Sequence, residues 1–355
     1  MKLGIIGLPS SGKTTIFNAL THGDFPTTIS GKRYEIHTAV IDVPDKRVDQ
    51  LVEIYHPLKT AYAKVTYADV AGLNGNASGN ISGELLNTLS QMDGFIHIVR
   101  CFENPTVPHS KGSIDPQRDI DMMESEFLLN DLITVEDKIE RLGKEKTKKN
   151  GRDEAEIKRE GNLFKILHAN LSNGVPLRQM DFSLEEQKIL SGYGFLSQKK
   201  MLIVLNLADG QSPPPLRAPS ENVPLVPLQG KLEMEISQIP PEEARMFLDE
   251  YGIEEPSLEK IIRLSYNLLG LQSFFTVGED EVHAWTIHQG ASALEAAGTI
   301  HSDLMRGFIR AEVISSEDLI ALGGFAEARS KGKLRLEGRD YVVHNGEIVH
   351  VRFNV

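Results

Sequence analysis

The stretch "KLGIIGLPSSGKTTIFNALTH", Lys2 to His22, decides the fold. Its centre, Gly7 to Thr15, fits G-x-x-x-x-G-K-[ST] through Gly7, Gly12, Lys13 and Thr14. A loop of that pattern wraps phosphate oxygens with backbone N–H groups and needs glycine where the backbone comes close. Lys13 is expected to reach the β- and γ-phosphates, and the Thr14 hydroxyl to bind Mg²⁺. The flanks agree. Lys2 to Gly7 is a short apolar run, as buried parallel strands are. Lys13 to His22 places Ile16, Phe17 and Leu20 on one helical face. Strand, glycine-rich loop and helix N-terminus in that order make an anion site. Pro9, Ser10, Ser11, Gly12, Lys13, Thr14 and Thr15 are the predicted phosphate-binding residues.

Further along, apolar runs recur: Ala39 to Val43, Lys64 to Leu73, Gly94 to Phe102 and Met201 to Asp209. Alternating with helical stretches, they predict an open parallel sheet with its ligands at the carboxyl ends of the strands. Two of these ends carry a second layer of nucleotide signals. "DVAG" (Asp69 to Gly72) fits D-x-x-G, in which Asp69 holds Mg²⁺ through water and the Gly72 N–H senses the γ-phosphate. "NLAD" (Asn206 to Asp209) stands where GTPases have N-K-x-D, with Leu207 in place of Lys and Asp209 available to guanine. Gln229, Gly230 and Lys231, in "PLQGK", are expected to complete the base pocket.

Leu128, Leu132, Val135, Ile139 and Leu142 step by four and three, the seam of a packed helix pair. Ile157, Phe164, Leu167 and Leu171 suit the returning helix. The tip between them is basic, with Lys144, Lys146, Lys148, Lys149 and Arg152. It reads as a solvated turn or as an RNA contact. "QSPPPLRAPS" (Gln211 to Ser220) reads as a stiff surface loop. Toward the C-terminus, Phe274 to Ile287 suggests a hairpin and Leu294 to Phe308 a helix. Tyr341 to Val355 suggests two strands about the Asn345-Gly346 turn. The expected organisation is a P-loop domain over 1–124 and 198–271, an inserted helical hairpin over 125–197 and a small α+β domain over 272–355.

Composition narrows the class. The chain has 355 residues, enough for two or three domains, and 40% hydrophobic content suits a globular protein. No apolar run is long enough to span a bilayer. The first residues run into a core strand without a leader pattern, and no membrane partner is expected. Cys101 is the single cysteine, which excludes an intrachain disulfide or a cysteine zinc site and fits a reducing cytoplasm. A net charge of −12 argues against broad nucleic-acid binding, and no DNA partner is expected.

With "GLPSSGKTT", "VPDKRVDQL", "DVAGL", "HIVRCFEN", the helical hairpin and the tail "VHAWTIHQGASALEAAGTIHSDLMRGFIRAEVI" in place, the chain resembles the YchF, or Obg-like ATPase, family of P-loop NTPases. The resemblance covers nearly the whole chain. It implies that the tail is a TGS domain, a ubiquitin-like β-grasp module. It also implies a slow Mg²⁺-dependent hydrolase of ATP, GTP or both, associated with ribosomes. The hairpin tip and the TGS-like domain are the expected ribosome or RNA contacts. Three departures stand out. Ser10 replaces the usual Asn. The switch segment keeps Thr28, an expected Mg²⁺ ligand, and Ile29 but loses its Pro-Asn. The base-reading motif ends in Asp209 rather than Glu, so GTP and ATP both stay open.

In Ras-like GTPases a Gln after D-x-x-G orients the attacking water. Here that position is Leu73, as the family pattern has it. The resemblance offers His109 instead, on a Pro-flanked loop expected to be mobile, as a group that positions water or accepts a proton. The bland alternative is a surface histidine. His97, inside an apolar strand, reads as a satisfied structural histidine. Two functions remain: a slow NTPase using Lys13 and His109, or a nucleotide-gated ribosome or RNA adaptor with negligible hydrolysis. A P-loop small-molecule kinase would leave D-x-x-G, "NLAD" and the TGS-like tail unexplained.

Overall fold

The computed structural model describes residues 1–23, 36–70, 83–147, 152–250 and 256–354. Strand β1 (Lys2–Ile6) leads into α1 (Lys13–Thr21), and β2 (His37–Asp42) into α2 (Lys46–Tyr55). Then come β3 (Lys59–Ala61), β4 (Lys64–Asp69), α3 (Gly83–Ser90) and β5 (Gly94–Arg100). Helices α4 (Pro116–Thr147), α5 (Glu154–Ser172) and α6 (Leu184–Leu190) precede β6 (Lys200–Asn206) and β7 (Leu225–Leu228). Helices α7 (Gly230–Gln238), α8 (Pro241–Glu250) and α9 (Ser257–Leu268) lead to β8 (Leu271–Thr276) and β9 (Glu281–His288). The chain ends with α10 (Ala293–Ile300), α11 (Ser302–Arg306), β10 (Phe308–Ser315), α12 (Ser316–Leu322), α13 (Phe325–Ser330), β11 (Arg335–Glu337) and β12 (Glu347–Phe353).

These elements form two compact units. One comprises Met1–Ala39 and Thr66–Leu258; the other comprises Val40–Val65 and Glu259–Val355. One of the two sheets has the order β2-β4-β1-β5-β6-β7, and its strands from β4 to β7 are the expected parallel ones. Strand β1 pairs in parallel with β4 and β5, β5 with β6, and β6 with β7. Every residue of β5 is buried, which is why it reads as a mostly apolar run, interrupted by His97 and ended by Arg100, rather than an alternating one.

Helix α4 starts well before the expected boundary at Ser125. Its first turns carry Ile120, Met123 and Phe127, buried against the sheet core with Phe95. No Gly or Pro interrupts the chain from Gln117 to Leu142, so one helix serves two cores. Beyond it the hairpin seam is as read. Val135, Leu163, Phe164, Leu167 and Leu171 are buried together, with Leu128, Leu132 and Ile139 at the margin. The Asp153 side chain caps α5 by accepting the Ala155 N–H. At the hairpin base the buried Asp131 carboxylate accepts the Leu196 and Ser197 N–H groups at 2.8 and 2.7 Å.

The second unit is built on a mixed sheet, β11-β10-β12-β8-β9-β3. The expected β8/β9 hairpin is present and antiparallel. The unit is larger than the 272–355 segment read from the sequence. It includes α2, from the "VPDKRVDQL" motif, and β3, which pairs in parallel with β9. The helical run from Leu294 breaks at His301, whose ring nitrogen accepts the Asp303 N–H and starts α11. The turn at Asn345-Gly346 joins no hairpin. Only β12 follows it, and Val343 donates instead to the Ala291 carbonyl. The Asn345 side chain accepts the Ser273 N–H at 3.3 Å. That contact holds the turn against β8, away from a pairing with β12.

Candidate functional site

The loop between β1 and α1 needs its glycines for two measurable reasons. Gly12 has φ 97°, and a Cβ there would lie 2.2 Å from Asn206 Nδ2. Gly7 has φ 151°, and a Cβ there would lie 2.4 Å from the Ile98 carbonyl oxygen. Ser10, between them, holds φ 62° without being glycine. That left-handed conformation is easier for Asn than for Ser.

Lys13 folds back on its own loop. Its Nζ donates to the Gly7 carbonyl at 3.1 Å and the Leu8 carbonyl at 2.9 Å. Burial pushes its pKa down from 10.5 to about 8, opposed by the charge of Asp69. The Thr14 hydroxyl donates to Asp69 Oδ2 at 2.8 Å. The other carboxylate oxygen, Oδ1, is buried without a hydrogen-bond partner among the described residues. An orphaned carboxylate oxygen beside a hydroxyl is a donor set that suits a hard cation such as Mg²⁺. Asp69 and Thr14 thus meet as expected, although 55 residues apart in the chain. Thr28, Gly72 and Leu73 lie outside the described residues.

The expected base-pocket residues divide. Asn206 Nδ2 donates to the Ser11 carbonyl at 2.9 Å, and its Oδ1 accepts the Gly230 N–H at 3.2 Å. Both ends of this buried amide are therefore occupied by backbone, and the residue braces the phosphate loop. Leu207 lies in the hydrophobic core with Leu205 and Val223. Apolar burial outweighs its place in the motif. Asp209 is exposed, and Lys231 reaches back to Glu235 on the same helix. Gln229 is half-buried. Gln211, which the sequence reading passed over, accepts the Ala208 N–H at 2.9 Å and donates to the Cys101 carbonyl at 2.7 Å. It fixes the loop that carries Asp209.

The loop that carries His109 is exposed at Pro108 and Ser110, but the histidine itself is tucked in. Its side chain is 3% exposed, and Nε2 lies 2.9 Å from Asp119 Oδ2. Its Nδ1 accepts the Lys111 N–H at 3.1 Å. That bond places the ring proton on Nε2, facing the carboxylate. Asp119, in the first turn of α4, has no signal in the sequence. His97 is fully buried but not satisfied, since neither ring nitrogen has a partner among the described residues. Burial, aided by the Lys13 charge, pushes its pKa down to about 3, so it is neutral. Arg100, also missed, sends its guanidinium to three backbone carbonyls. Its only mark in the sequence is a charge ending an apolar strand.

At the basic tip, Lys144 pairs with Glu140, and Arg152 with Glu145 and Glu160. Lys148 and Lys149 lie outside the described residues.

Comparison with known proteins shows the family. A family model described as "50S ribosome-binding GTPase" matches residues 2–138. The YchF GTPase C-terminal family, described as "Protein of unknown function", matches residues 271–354. A Bacillus subtilis protein named "Ribosome-binding ATPase YchF" is 38% identical over 367 residues, covering 99% of each chain. The chain belongs to the YchF family. The Haemophilus influenzae protein of the same name is 40% identical over 368 residues, covering 100% of this chain and 99% of its own. The solved structure of the Schizosaccharomyces pombe YchF GTPase superposes with a TM-score of 0.83 at 28% identity, covering 99% of this chain and 97% of that one. The YchF fold thus accounts for both units of the chain. Among the described residues no helix is long and apolar enough to cross a membrane.

Proposed function

We propose that the chain is a cytoplasmic Mg²⁺-dependent NTPase that hydrolyses ATP or GTP slowly and acts as a ribosome-associated switch. The observation that carries this reading is the Lys13–Thr14–Asp69 arrangement. A buried lysine is held by its own loop's carbonyls, and a hydroxyl rests against a carboxylate whose other oxygen has no partner among the described residues.

In this reading phosphate oxygens take the place of the Gly7 and Leu8 carbonyls on Lys13, and backbone N–H groups of Ser10 and of Gly12 to Thr15 hold the rest. Thr14 and Thr28 would hold Mg²⁺, and Asp69, which accepts the Thr14 hydroxyl, would support the site. The ion, when bound, offsets charge on the phosphate oxygens. Gly72 senses the γ-phosphate. Asp209 faces the base, with Gln211 fixing its loop and Gln229 and Gly230 closing the pocket. A carboxylate accepts guanine N1–H and N2–H, while an exposed loop without the usual Lys also admits adenine. Water oriented by His109, once its loop has opened, attacks the γ-phosphorus as the bond to the β–γ bridging oxygen breaks; the water's proton leaves with the released phosphate and the nucleoside diphosphate stays on Lys13.

A second reading, an adaptor with negligible hydrolysis, is favoured by one observation. Both ring nitrogens of His109 are occupied, by Asp119 and by the Lys111 N–H. The ribosome as partner follows the printed name of the Bacillus subtilis relative. We place its contact at the hairpin tip and the β-grasp unit.

Calorimetric titration with non-hydrolysable ATP and GTP analogues plus Mg²⁺ tests the nucleotide site. Binding to the parent and its loss in Lys13→Ala is expected; unchanged binding in that variant would overturn the site. Single-turnover hydrolysis with and without ribosomes, in parent and His109→Ala, separates switch from adaptor.

A further inference from the structure

Arg100 ends β5 and is 2% exposed. Nη1 donates to the Ser10 carbonyl at 3.4 Å, Nη2 to the Val107 carbonyl at 2.9 Å, and Nε to the Phe102 carbonyl at 3.0 Å. The guanidinium lies 4.7 Å from the centre of the Phe102 ring. Among the described residues no carboxylate forms an ion pair with it, and burial alone lowers its pKa. A buried cation answered only by neutral carbonyls is costly. An apolar side chain of similar length would fill the volume without that cost. What it would not do is join Ser10 to Val107. Ser10 is the left-handed residue of the phosphate loop, and Val107 lies two residues before His109.

The geometry points to Arg100 as a positioning residue that ties the phosphate loop at Ser10 to the loop carrying His109, so that the two respond to nucleotide together. The inference rests on the reading of residues 7–15 as the phosphate site. The planar guanidinium holds its donors in a fixed fork, so the Ser10 and Val107 carbonyls cannot shift separately without losing a bond. Entry of phosphates draws Lys13 off the Gly7 and Leu8 carbonyls and resets the loop backbone. Arg100 passes that shift to Val107, and the neighbouring His109 is released from Asp119 and the Lys111 N–H. The Arg100→Lys substitution would keep a charge but lose the fork.

The test is hydrogen–deuterium exchange on the full chain with and without Mg²⁺ and a non-hydrolysable ATP or GTP analogue. Parent, Arg100→Lys and Arg100→Met are compared, with circular dichroism as a check of folding. In the parent the analogue is expected to alter exchange in both 7–15 and 102–112. In both variants the 7–15 response persists, and the 102–112 response falls at least about fivefold. Analogue affinity stays within about threefold of the parent while single-turnover hydrolysis drops about tenfold or more, and adding His109→Ala lowers it no further. A role in packing alone predicts faster exchange of 102–112 in both states with its nucleotide response intact. That result in Arg100→Lys, the milder variant, would overturn the inference, as would a parent that responds in 7–15 but not in 102–112. An absence of any response or binding at 7–15 would instead sink the nucleotide-site reading, and this inference with it.

Discussion

Replacing Asn206 with Ala separates a brace from a base reader. The amide spans two loops, with Nδ2 on the Ser11 carbonyl at 2.9 Å and Oδ1 on the Gly230 N–H at 3.2 Å. The side chain is 4% exposed, so water cannot readily replace either bond. Each backbone group left unpaired costs about 1–3 kcal/mol, and the pair about 3–4 kcal/mol. For a domain of this size each kcal/mol lowers Tm by about 2–4 °C, so a fall of about 6–16 °C is expected. Because neither end of the amide is free for a base, affinities for the ATP and GTP analogues should drop together, their ratio unchanged within about twofold. Asn206→Asp keeps the acceptor for Gly230 but sets an oxygen against the Ser11 carbonyl. It should be the less stable variant at neutral pH and recover toward acid. Thermal melts followed by circular dichroism and calorimetric titration with both analogues provide the readouts. A base-selective loss of affinity at unchanged Tm would refute the brace and restore Asn206 to the base pocket.

Lys13 makes nucleotide affinity pH-dependent. Its free-state pKa of about 8 lies below the ordinary 10.5, so the folded chain loses this proton first as pH rises. Bound phosphate favours the charged form. Affinity should therefore fall about tenfold between pH 7 and pH 9, with proton uptake on binding near pH 8–9 that appears as buffer-dependent titration heats. The same shift acts oppositely on the free protein. The unfolded chain binds more protons between pH 8 and 10.5, so this group's contribution to stability rises across that window. Ser10→Asn should raise stability by about 0.5–1 kcal/mol in urea melts, because Asn tolerates the left-handed φ of 62°. Gly12→Ala should abolish analogue binding and lower Tm, since its Cβ would meet Asn206 Nδ2 at 2.2 Å. Asp131→Ala leaves the Leu196 and Ser197 N–H groups unpaired and should cost about 3 kcal/mol, measured by chemical denaturation.

What the sequence determined by itself was whatever local spacing encodes. The glycine and lysine positions of residues 7–15, the buried runs of β1, β5 and β6, and the four-and-three seam from Leu128 to Leu142 are readable because each depends on neighbours a few residues away. The meeting of Thr14 with Asp69 also followed, because strand-end motifs on one parallel sheet face the same edge. The tertiary structure alone decided where the buried polar groups go. Asn206 finds its partner 195 residues earlier, at Ser11, and Arg100 finds its own 90 residues earlier, at Ser10. His109 is buried because Asp119 lies against it, although Pro-flanked loops are usually exposed. Leu207 went to the core because burial rewards its apolar surface whatever motif surrounds it. Strand β3 joined the C-terminal unit because a three-residue strand is stable only where an edge is open to receive it, and β9 offers that edge. A local pattern sets which groups must be satisfied; only the assembled chain supplies what satisfies them.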